Sequence, residues 1–337
     1  MKVFIIAEAG VNHNGSLQTA KQLVDAAAKA GANAVKFQTF KAEELVTPGV
    51  LQAEYQTVNS GIEESQLSML KRLELDLFSH RALVAYCDQK KIEFMSTPFD
   101  LSSIDLLKNL GMRRWKIPSG ELLSVPYLRK IAAFNRSTIL STGMGSIEEV
   151  EFSVKTLLDA GLARKNLAIL HANTAYPTPY SDVNLRAMQT LQDTFDLPVG
   201  LSDHSLGIEV PIAAVAMGAC VIEKHFTLDK TLPGPDHKAS LEPHELKAMV
   251  TSIRNIEKAL GTGEKRPSVS EAMNIEIVRK RIVAACEIQA NERFSADNLT
   301  IKRASSGVDA RDWDAVIGQT ARRHLQPNQA LQERDYA

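Results

Sequence analysis

Two histidines at equivalent places in neighbouring stretches of the chain are the first candidates for chemistry. His204 follows the apolar run 198–201, and His225 follows the run 220–222. A helical stretch rich in Ala, Val and Ile lies between them, so the pattern is strand, helix, strand. The carboxyl ends of neighbouring parallel strands meet at one edge of a sheet, where two imidazoles can bind one divalent metal ion. The spacing therefore predicts a metal site.

Two lysines and several hydroxyl side chains end other predicted strands. Lys36 and Lys116 supply positive charge, and hydroxyls supply directed hydrogen bonds, so the combination suits a phosphate or a carboxylate. A single hydroxyl in such a place is typical of a helix cap or a turn. Together they predict an anionic substrate. The hydroxyls are those of Thr97, Ser119, Ser141 and Ser202.

Carboxylates occur at the same predicted edge. Glu8 and Glu121 could each act as a base or orient a sugar hydroxyl, and the alternative for each is a salt bridge with one of the lysines. Asp236 lies in a loop after the eighth strand, where it could bind a substrate hydroxyl.

The other histidines are weaker candidates for metal ligands. His13 and His171 could support or replace the two proposed ligands, whereas His80, His244 and His324 fall in helical or peripheral contexts and are expected to be solvated. The sequence contains no Ser-His-Asp order, P-loop or HExxH motif.

The elements that must position these residues are eight strand-like runs with helical stretches between them. Eight βα units in about 250 residues predict an α/β fold of the (β/α)8 TIM-barrel type, which places catalysis at the carboxyl ends of its strands. The alternative is a doubly wound open sheet, which would usually carry a Gly-x-Gly-x-x-Gly turn after its first strand; none is present. Residues 41–65 form a long polar insert, and Ser146 with Glu149 predicts a capping box.

Composition sets the broad class. The chain has 337 residues, 44% of them hydrophobic, and a net charge of -1 without a basic run, so nucleic acid is an unexpected partner. Three cysteines at unrelated spacings suit a reducing cytoplasm. The first apolar run is too short for a signal peptide, and none approaches the roughly 20 residues of a membrane span. We therefore expect a cytoplasmic protein.

The sequence pattern changes after the last predicted barrel helix, from long helical stretches to short apolar pieces. We expect a catalytic barrel at 1–262, a linker at 263–280 and a small β-rich module at 281–337. A module of about 55 residues is near the lower size limit for independent folding, so docking on a partner surface is plausible.

Motifs along the whole barrel resemble one family. AEAGVNHNG, VKFQTFKAEELV, STPFD, KIPSGE, LSTGM, YPTPY, GLSDHS and EKHFTLDK occur in order and look like the sialic acid synthase family. The C-terminal module, with NLTIKR, resembles the antifreeze-like (SAF, β-clip) domain of that family. LELDL and GPDHKASLEP are most similar to its N,N'-diacetyllegionaminate synthases.

The resemblance implies a transferase of the EC 2.5.1 class that forms a carbon–carbon bond. It would condense phosphoenolpyruvate with an N-acylated mannosamine-type sugar to a nonulosonic acid and phosphate. The expected sugar is 2,4-diacetamido-2,4,6-trideoxymannose, and the rival is N-acetylmannosamine, which would give N-acetylneuraminate. A third hypothesis is a non-catalytic protein whose SAF module binds carbohydrate or ice.

The resemblance also assigns residue roles. His204 and His225 would ligate Mn²⁺, or Mg²⁺ or Co²⁺, as a Lewis acid, and Glu8 would be the catalytic carboxylate. Arg303 would come from the other subunit of a domain-swapped homodimer. Phosphoenolpyruvate would be held by Lys36, Thr97, Lys116, Ser119, Ser141, Asn173, Thr174 and Ser202, and the sugar by Gln38, Glu121, Tyr176, Asp236 and Arg303.

Two places depart from the family pattern. The family has Lys-Arg-Pro-Gly-x-Gly around the arginine, whereas Ala304-Ser305-Ser306-Gly307 follows Arg303 here. Family members that form sialic acid tend to have Thr-Asn before the Tyr-Pro loop, whereas this chain has Asn173-Thr174, so either residue could contact the phosphate.

Overall fold

A computed structural model of the chain describes residues 2–53, 56–57 and 63–336. The chain divides into two compact units, Met1–Gly261 and Thr262–Ala337. No helix in the described ranges is long and apolar enough to cross a membrane. Part of the predicted polar insert, residues 54–55 and 58–62, lies outside the described residues.

The first unit is built around a parallel sheet of eight strands in its described residues. The first and last strands pair, with Glu8 opposite His225, and the strands at the two ends of the hydrogen-bonded order, β3 and β4, are in contact. The prediction of a TIM barrel is confirmed. The strands are β1 Phe4–Gly10, β2 Ala34–Thr39, β3 Glu93–Pro98, β4 Trp115–Ile117, β5 Thr138–Ser141, β6 Leu167–Ala172, β7 Val199–Asp203 and β8 Val221–His225.

Helices follow the strands and begin at capping side chains. Ser16, Asp76 and Asp100 each accept a backbone N–H in the first turn of the next helix. The predicted capping box of Ser146 and Glu149 is confirmed. The α-helices of this unit are Leu17–Ala30, Ala42–Leu45, Gln66–Leu73, Leu77–Lys90, Leu101–Asn109, Val125–Ala132, Ile147–Asp159, Ala187–Phe195, Glu209–Ala216 and Pro243–Ala259.

The strands extend further towards their carboxyl ends than the apolar runs predict. β7 was expected to end at Leu201 and continues to Asp203, and β8 was expected to end at Ile222 and continues to His225. Strand pairing depends on backbone groups and not on side-chain polarity, so it continues beneath polar side chains that point into the barrel. Several candidate site residues are therefore inside strands and not in the loops after them.

Alternation along the strands separates the barrel interior from the sheet–helix interface. An inner apolar cluster contains Ile6, Ala34, Met95, Ile139, Leu170 and Val221. Two residues further along most of these strands, the same face carries polar groups. Those groups are Glu8, Lys36, Thr97, Ser141 and Glu223.

The second unit has a small core of its own. β9, Lys280–Ala284, pairs antiparallel with β10, Leu299–Arg303, and both contribute to a buried cluster that includes Phe294 and Leu325. Two further helices are Ala272–Val278 and Trp313–Val316. The first of them lies within the stretch 263–280, for which a linker was expected.

Candidate active site

Two buried lysines and two buried carboxylates form the centre of the barrel mouth. Lys36 Nζ is 2.7 Å from Glu8 Oε2 and 3.6 Å from Glu223 Oε2. Lys116 Nζ is 3.3 Å from the other oxygen of Glu223. Lys36 also donates to Thr97 Oγ1 at 2.7 Å, and Ser202 Oγ donates to Glu223 Oε1 at 3.0 Å. Side chains from six strands therefore converge on one charged cluster.

Burial and neighbouring charges shift the pKa values of these groups in different directions. Burial raises the pKa of Glu8 to about 7, although the charge of Lys36 opposes the shift. Burial acts the same way on Glu223, but the charges of Lys116 and Lys36 outweigh it and lower its pKa to about 2. Burial lowers the pKa of Lys116, and Glu223 partly offsets this. When Glu8 holds a proton, the cluster has two cations and one anion, so it favours an anionic ligand.

The two candidate metal ligands lie side by side. The ring centroids of His204 and His225 are 5.3 Å apart, and the Tyr176 ring is 4.2 Å from His204. His204 Nδ1 is hydrogen-bonded to the Asn173 carbonyl, which leaves Nε2 towards Ser202. His225 Nδ1 is buried and has no hydrogen-bond partner among the described residues; Asp236 Oδ2 is 3.9 Å away.

The donor set fits a divalent metal that takes its remaining ligands from water or substrate. Burial lowers the pKa of His204 to about 4 and that of His225 well below its usual value, so both imidazoles are in the neutral form that binds metals. Within the described residues, no group of three or more His, Cys, Asp or Glu side chains is arranged to hold a metal ion. Two protein ligands would leave coordination positions open.

A cavity of about 380 Å³ adjoins the histidine pair. Gln38, Tyr176, His225 and Asp236 line one part of it, which brings together three of the residues expected to contact the sugar. Burial raises the pKa of Asp236 to about 6.

A second group of candidates lies beside the loop after β5. The Gly143 N–H donates to Ser119 Oγ at 2.9 Å, and a Cβ at Gly143 would come within 2.7 Å of Thr174. The buried Ser141 Oγ has no hydrogen-bond partner in the described part of the chain, so a ligand could supply one. Glu121 is half-buried in the short turn that begins at Ser119.

Arg303 is exposed at the end of β10 and belongs to the second compact unit. The contacts of the barrel mouth described above do not include it.

Comparisons with known proteins identify the family of the chain. The sequence profile of the NeuB family matches residues 23–265. The chain belongs to the NeuB family. The profile of the SAF domain matches residues 279–337. The prediction that the chain belongs to the sialic acid synthase family and ends in a SAF domain is confirmed.

Two relatives with assigned activities cover nearly the whole of this NeuB-family chain. An N,N'-diacetyllegionaminic acid synthase of Campylobacter jejuni is 51% identical over 98% of this chain and 99% of its own length. A protein of the same name from Legionella pneumophila is 50% identical over 94% of this chain and 90% of its own. The chain is thus an enzyme of the sialic acid synthase family, which argues against the non-catalytic hypothesis.

A solved structure of another protein has a similar architecture. The N-acetylneuraminic acid synthetase of Leptospira borgpetersenii, crystallised with citrate, is 38% identical and superposes with a TM-score of 0.73, covering 82% of this chain and 91% of that one.

Sequence reasoning overlooked one central residue of this NeuB-family site. Glu223 contacts both lysines and Ser202, yet the sequence pattern assigned it no role. The signal was available: in a strand, Glu223 and His225 share a face, so a carboxylate two residues before a candidate ligand also points inwards.

Other histidines lie elsewhere. His171 is on the outward face of β6, and its Nε2 is 2.7 Å from the Val183 carbonyl. His13 is buried against Phe37. His80 was expected to be solvated, and that was wrong: it is fully buried, with Nε2 2.7 Å from Thr39 Oγ1. Its helix packs on the barrel, so a polar residue on the inward face becomes part of the core.

Proposed function

We propose that this protein condenses phosphoenolpyruvate with an N-acylated mannosamine-type sugar, giving a nonulosonic acid and phosphate. The observation that carries the proposal is the buried cluster in which Lys36 and Lys116 face Glu223, beside the histidine pair. A compound with a phosphate and a carboxylate is the kind of ligand that two buried ammonium groups favour.

The specific reaction we propose converts 2,4-diacetamido-2,4,6-trideoxymannose to N,N'-diacetyllegionaminate. This rests on the two relatives with that activity in their names, which are 51% and 50% identical to the chain. The match with the first of them covers 98% of this chain, so the compared region includes the barrel mouth as well as the scaffold.

His204 and His225 would hold a divalent ion, with Mn²⁺ as our choice and Mg²⁺ or Co²⁺ as alternatives. When bound, such an ion supplies Lewis-acid polarisation of a substrate oxygen. The hydrogen bond of His204 Nδ1 to the Asn173 carbonyl fixes the ring orientation and leaves Nε2 for the metal.

The chain's own side chains would position the reactants. Lys36 and Lys116 bind the phosphate and carboxylate of phosphoenolpyruvate, with hydrogen bonds from nearby hydroxyls and amides. This orients C3 towards the sugar aldehyde, so that less entropy is lost in reaching the reactive geometry. The supporting residues are Thr97, Ser119, Ser141, Asn173, Thr174 and Ser202.

Glu8 is the group we propose for proton transfer. Protonated Glu8 gives its proton to the aldehyde oxygen while the electrons of the C2=C3 double bond of phosphoenolpyruvate form the new bond from C3 to the aldehyde carbon, and water adds at C2. The Glu8 carboxylate accepts a proton of that water. The bond from C2 to the phosphate oxygen then breaks, the C2 hydroxyl becomes the ketone, and its proton leaves with the phosphate. A carboxyl whose pKa is raised to about 7 by burial exists in both protonation states near neutral pH, as this role requires.

The sugar would lie in the adjoining cavity. Gln38, Tyr176 and Asp236, which line this cavity, would hold its hydroxyls there. Glu121 is a further residue that we propose contacts the sugar. Arg303 of a second subunit would contact the N-acyl group in a domain-swapped homodimer.

A substrate panel tests the function. Phosphate release is measured with phosphoenolpyruvate and either 2,4-diacetamido-2,4,6-trideoxymannose or N-acetylmannosamine, each with Mn²⁺, Mg²⁺ and Co²⁺. We expect turnover with the first sugar and a higher rate with Mn²⁺. Turnover only with N-acetylmannosamine would replace the proposed product with N-acetylneuraminate.

Calorimetry tests the metal ligands independently of turnover. His204→Ala and His225→Ala should each abolish Mn²⁺ binding, because a two-histidine site cannot hold the ion with one imidazole. His244→Ala, at an exposed position, is the matched control. Unchanged Mn²⁺ binding in either site variant would refute the ligand assignment.

A further inference from the structure

One part of the cavity beside the histidine pair has an apolar lining that the reaction itself does not require. We call this lining the apolar wall. It comes from the loops after β2 and β3 and from two helices that follow β2, and it consists of Phe40, Leu45, Met69, Leu70, Leu73 and Phe99.

The apolar wall is a packed surface. Phe40, Met69, Leu70 and Leu73 are buried in one hydrophobic cluster, against which Leu45 and Phe99 pack. The rings of Phe40 and Phe99 are 6.4 Å apart in an edge-to-face arrangement. Residues 41–65 were expected to form a polar insert, but Ala42, Leu45 and Val46 at its beginning belong to this cluster.

Charge is distributed unevenly between the cavity and the cluster of lysines. Of the described residues that line the cavity, none is a lysine or an arginine, whereas Lys36 and Lys116 lie in the barrel interior. The reacting aldehyde carbon, C1, must face phosphoenolpyruvate and therefore the lysines. The opposite end of the open-chain sugar, C4 to C6, then points away from them, towards the apolar wall.

We infer that the apolar wall is the specificity-determining surface of the enzyme and binds the C6 methyl and the C4 acetamido methyl of a 6-deoxy sugar. This inference rests on the proposed function, because it assumes that Gln38, Tyr176 and Asp236 hold the hydroxyls of the sugar in this cavity. N-acetylmannosamine carries hydroxyls at both carbons.

The expected discrimination follows from burial. A hydroxyl against the apolar wall loses its hydrogen bonds to water and gains none, whereas a methyl gains contact. A methyl-sized difference in an apolar pocket is worth about 10- to 200-fold in kcat/KM. We expect the wild-type enzyme to prefer the diacetamido sugar over N-acetylmannosamine within or above that range.

The test uses three substitutions of leucine by the similarly sized asparagine. Leu70→Asn and Leu45→Asn place an amide in the wall, and Leu45 is only half-buried, so this variant should fold even if the first does not. Leu67→Asn is the control, because Leu67 packs on the same cluster but does not line the cavity. Phosphate release is measured with 2,4-diacetamido-2,4,6-trideoxymannose, N-acetylmannosamine and 6-deoxy-N-acetylmannosamine.

We expect both wall variants to lower the preference for the diacetamido sugar by about 10-fold or more, while Leu67→Asn leaves the ratio unchanged. The 6-deoxy sugar should fall between the other two, which separates the C6 methyl from the C4 acetamido group. An equal loss of kcat/KM with all three sugars would overturn the inference. The wall would then contact either the C2 acyl group, which all three sugars share, or no part of the sugar. A wild-type enzyme that released no phosphate with any sugar would instead contradict the proposed function.

Discussion

Glu223 is the residue on which the electrostatics of the site depend. It is 4% exposed, and it is the only described carboxylate that contacts both Lys36 and Lys116. Two ammonium groups in a protein interior need compensating charge, and without a ligand Glu223 and Glu8 supply it. A bound anion would take over part of that compensation.

We therefore predict that Glu223→Gln destabilises the free protein by about 3 kcal/mol or more, the typical cost of leaving a buried charge unpaired. Urea unfolding measures the loss. Saturating phosphoenolpyruvate should remove much of it, because the ligand supplies the missing negative charge.

The control is Glu93→Gln, which breaks a half-buried pair with Arg114 at the other end of the barrel. Its cost should be about 1 kcal/mol or less and should not depend on the ligand. A loss at Glu223 that persists in full with phosphoenolpyruvate bound would show that the lysines do not receive the anion.

β7 and β8 carry a second ion pair on their outward faces. Asp203 and Lys224 each precede a candidate metal ligand, and Lys224 Nζ lies 2.5 Å from Asp203 Oδ2 and also contacts the Ser205 carbonyl. Both side chains are buried. Strand alternation places the histidines inside the barrel and this pair outside it, so the pair fixes the two strand ends that bear the histidines.

Lys224→Met should destabilise the protein by about 3–5 kcal/mol, because Asp203 then remains buried without its partner. The measurement is the free energy of unfolding in urea. Lys155→Met, in an exposed pair with Asp159, should cost at most about 1 kcal/mol. Equal losses of unfolding free energy in the two variants would mean that the buried Asp203–Lys224 pair contributes no more than a surface pair.

The loop after β1 introduces a pH dependence. His13 is fully buried, and burial lowers its pKa from 6.5 to about 4. Between these pH values the unfolded chain binds a proton at this residue and the folded chain does not. The part of the unfolding free energy that depends on this residue is therefore fully present above pH 6.5. It decreases by about 3 kcal/mol as the pH falls to about 4.

His13→Asn should remove that part of the acid sensitivity, because asparagine keeps an acceptor for the Gly15 N–H and does not titrate. Unfolding free energies at pH 7 and pH 4.5 measure the effect. His244→Asn, at an exposed helix position, should leave the difference between the two pH values unchanged. A His13 variant as acid-sensitive as the wild type would contradict the burial argument.

At the scale of the whole molecule, two compact units must cooperate if Arg303 contributes to the sugar site. The barrel mouth and β10 lie in different units. In the proposed domain-swapped homodimer, each site combines the histidines of one subunit with the arginine of the other.

Co-expression of His204→Ala and Arg303→Ala subunits with different tags tests that arrangement. Each homodimer should be inactive or strongly impaired, whereas the purified heterodimer should recover about half of the wild-type activity, because one of its two sites keeps both groups. A heterodimer as inactive as the homodimers would place the arginine in the same subunit as the histidines.

Local patterns determined the architecture and most of the candidate site. Apolar runs alternating with helical stretches predicted eight βα units, and caps such as Ser146 set helix starts, because these signals depend on neighbours a few residues away. The polar residues at strand ends followed from the same alternation, so Lys36, Lys116 and the histidine pair could be named in advance.

Only the tertiary structure decided which of those residues meet, and what else meets them. Closure of the barrel pairs β1 with β8 and brings Glu8 opposite His225, residues far apart in the chain. The same closure places Glu223 between two lysines, and the packing of a helix on the barrel buries His80. The apolar wall likewise assembles from separate loops and helices. Distances, burial and charge compensation depend on such long-range packing, whereas strand and helix patterns depend on local sequence.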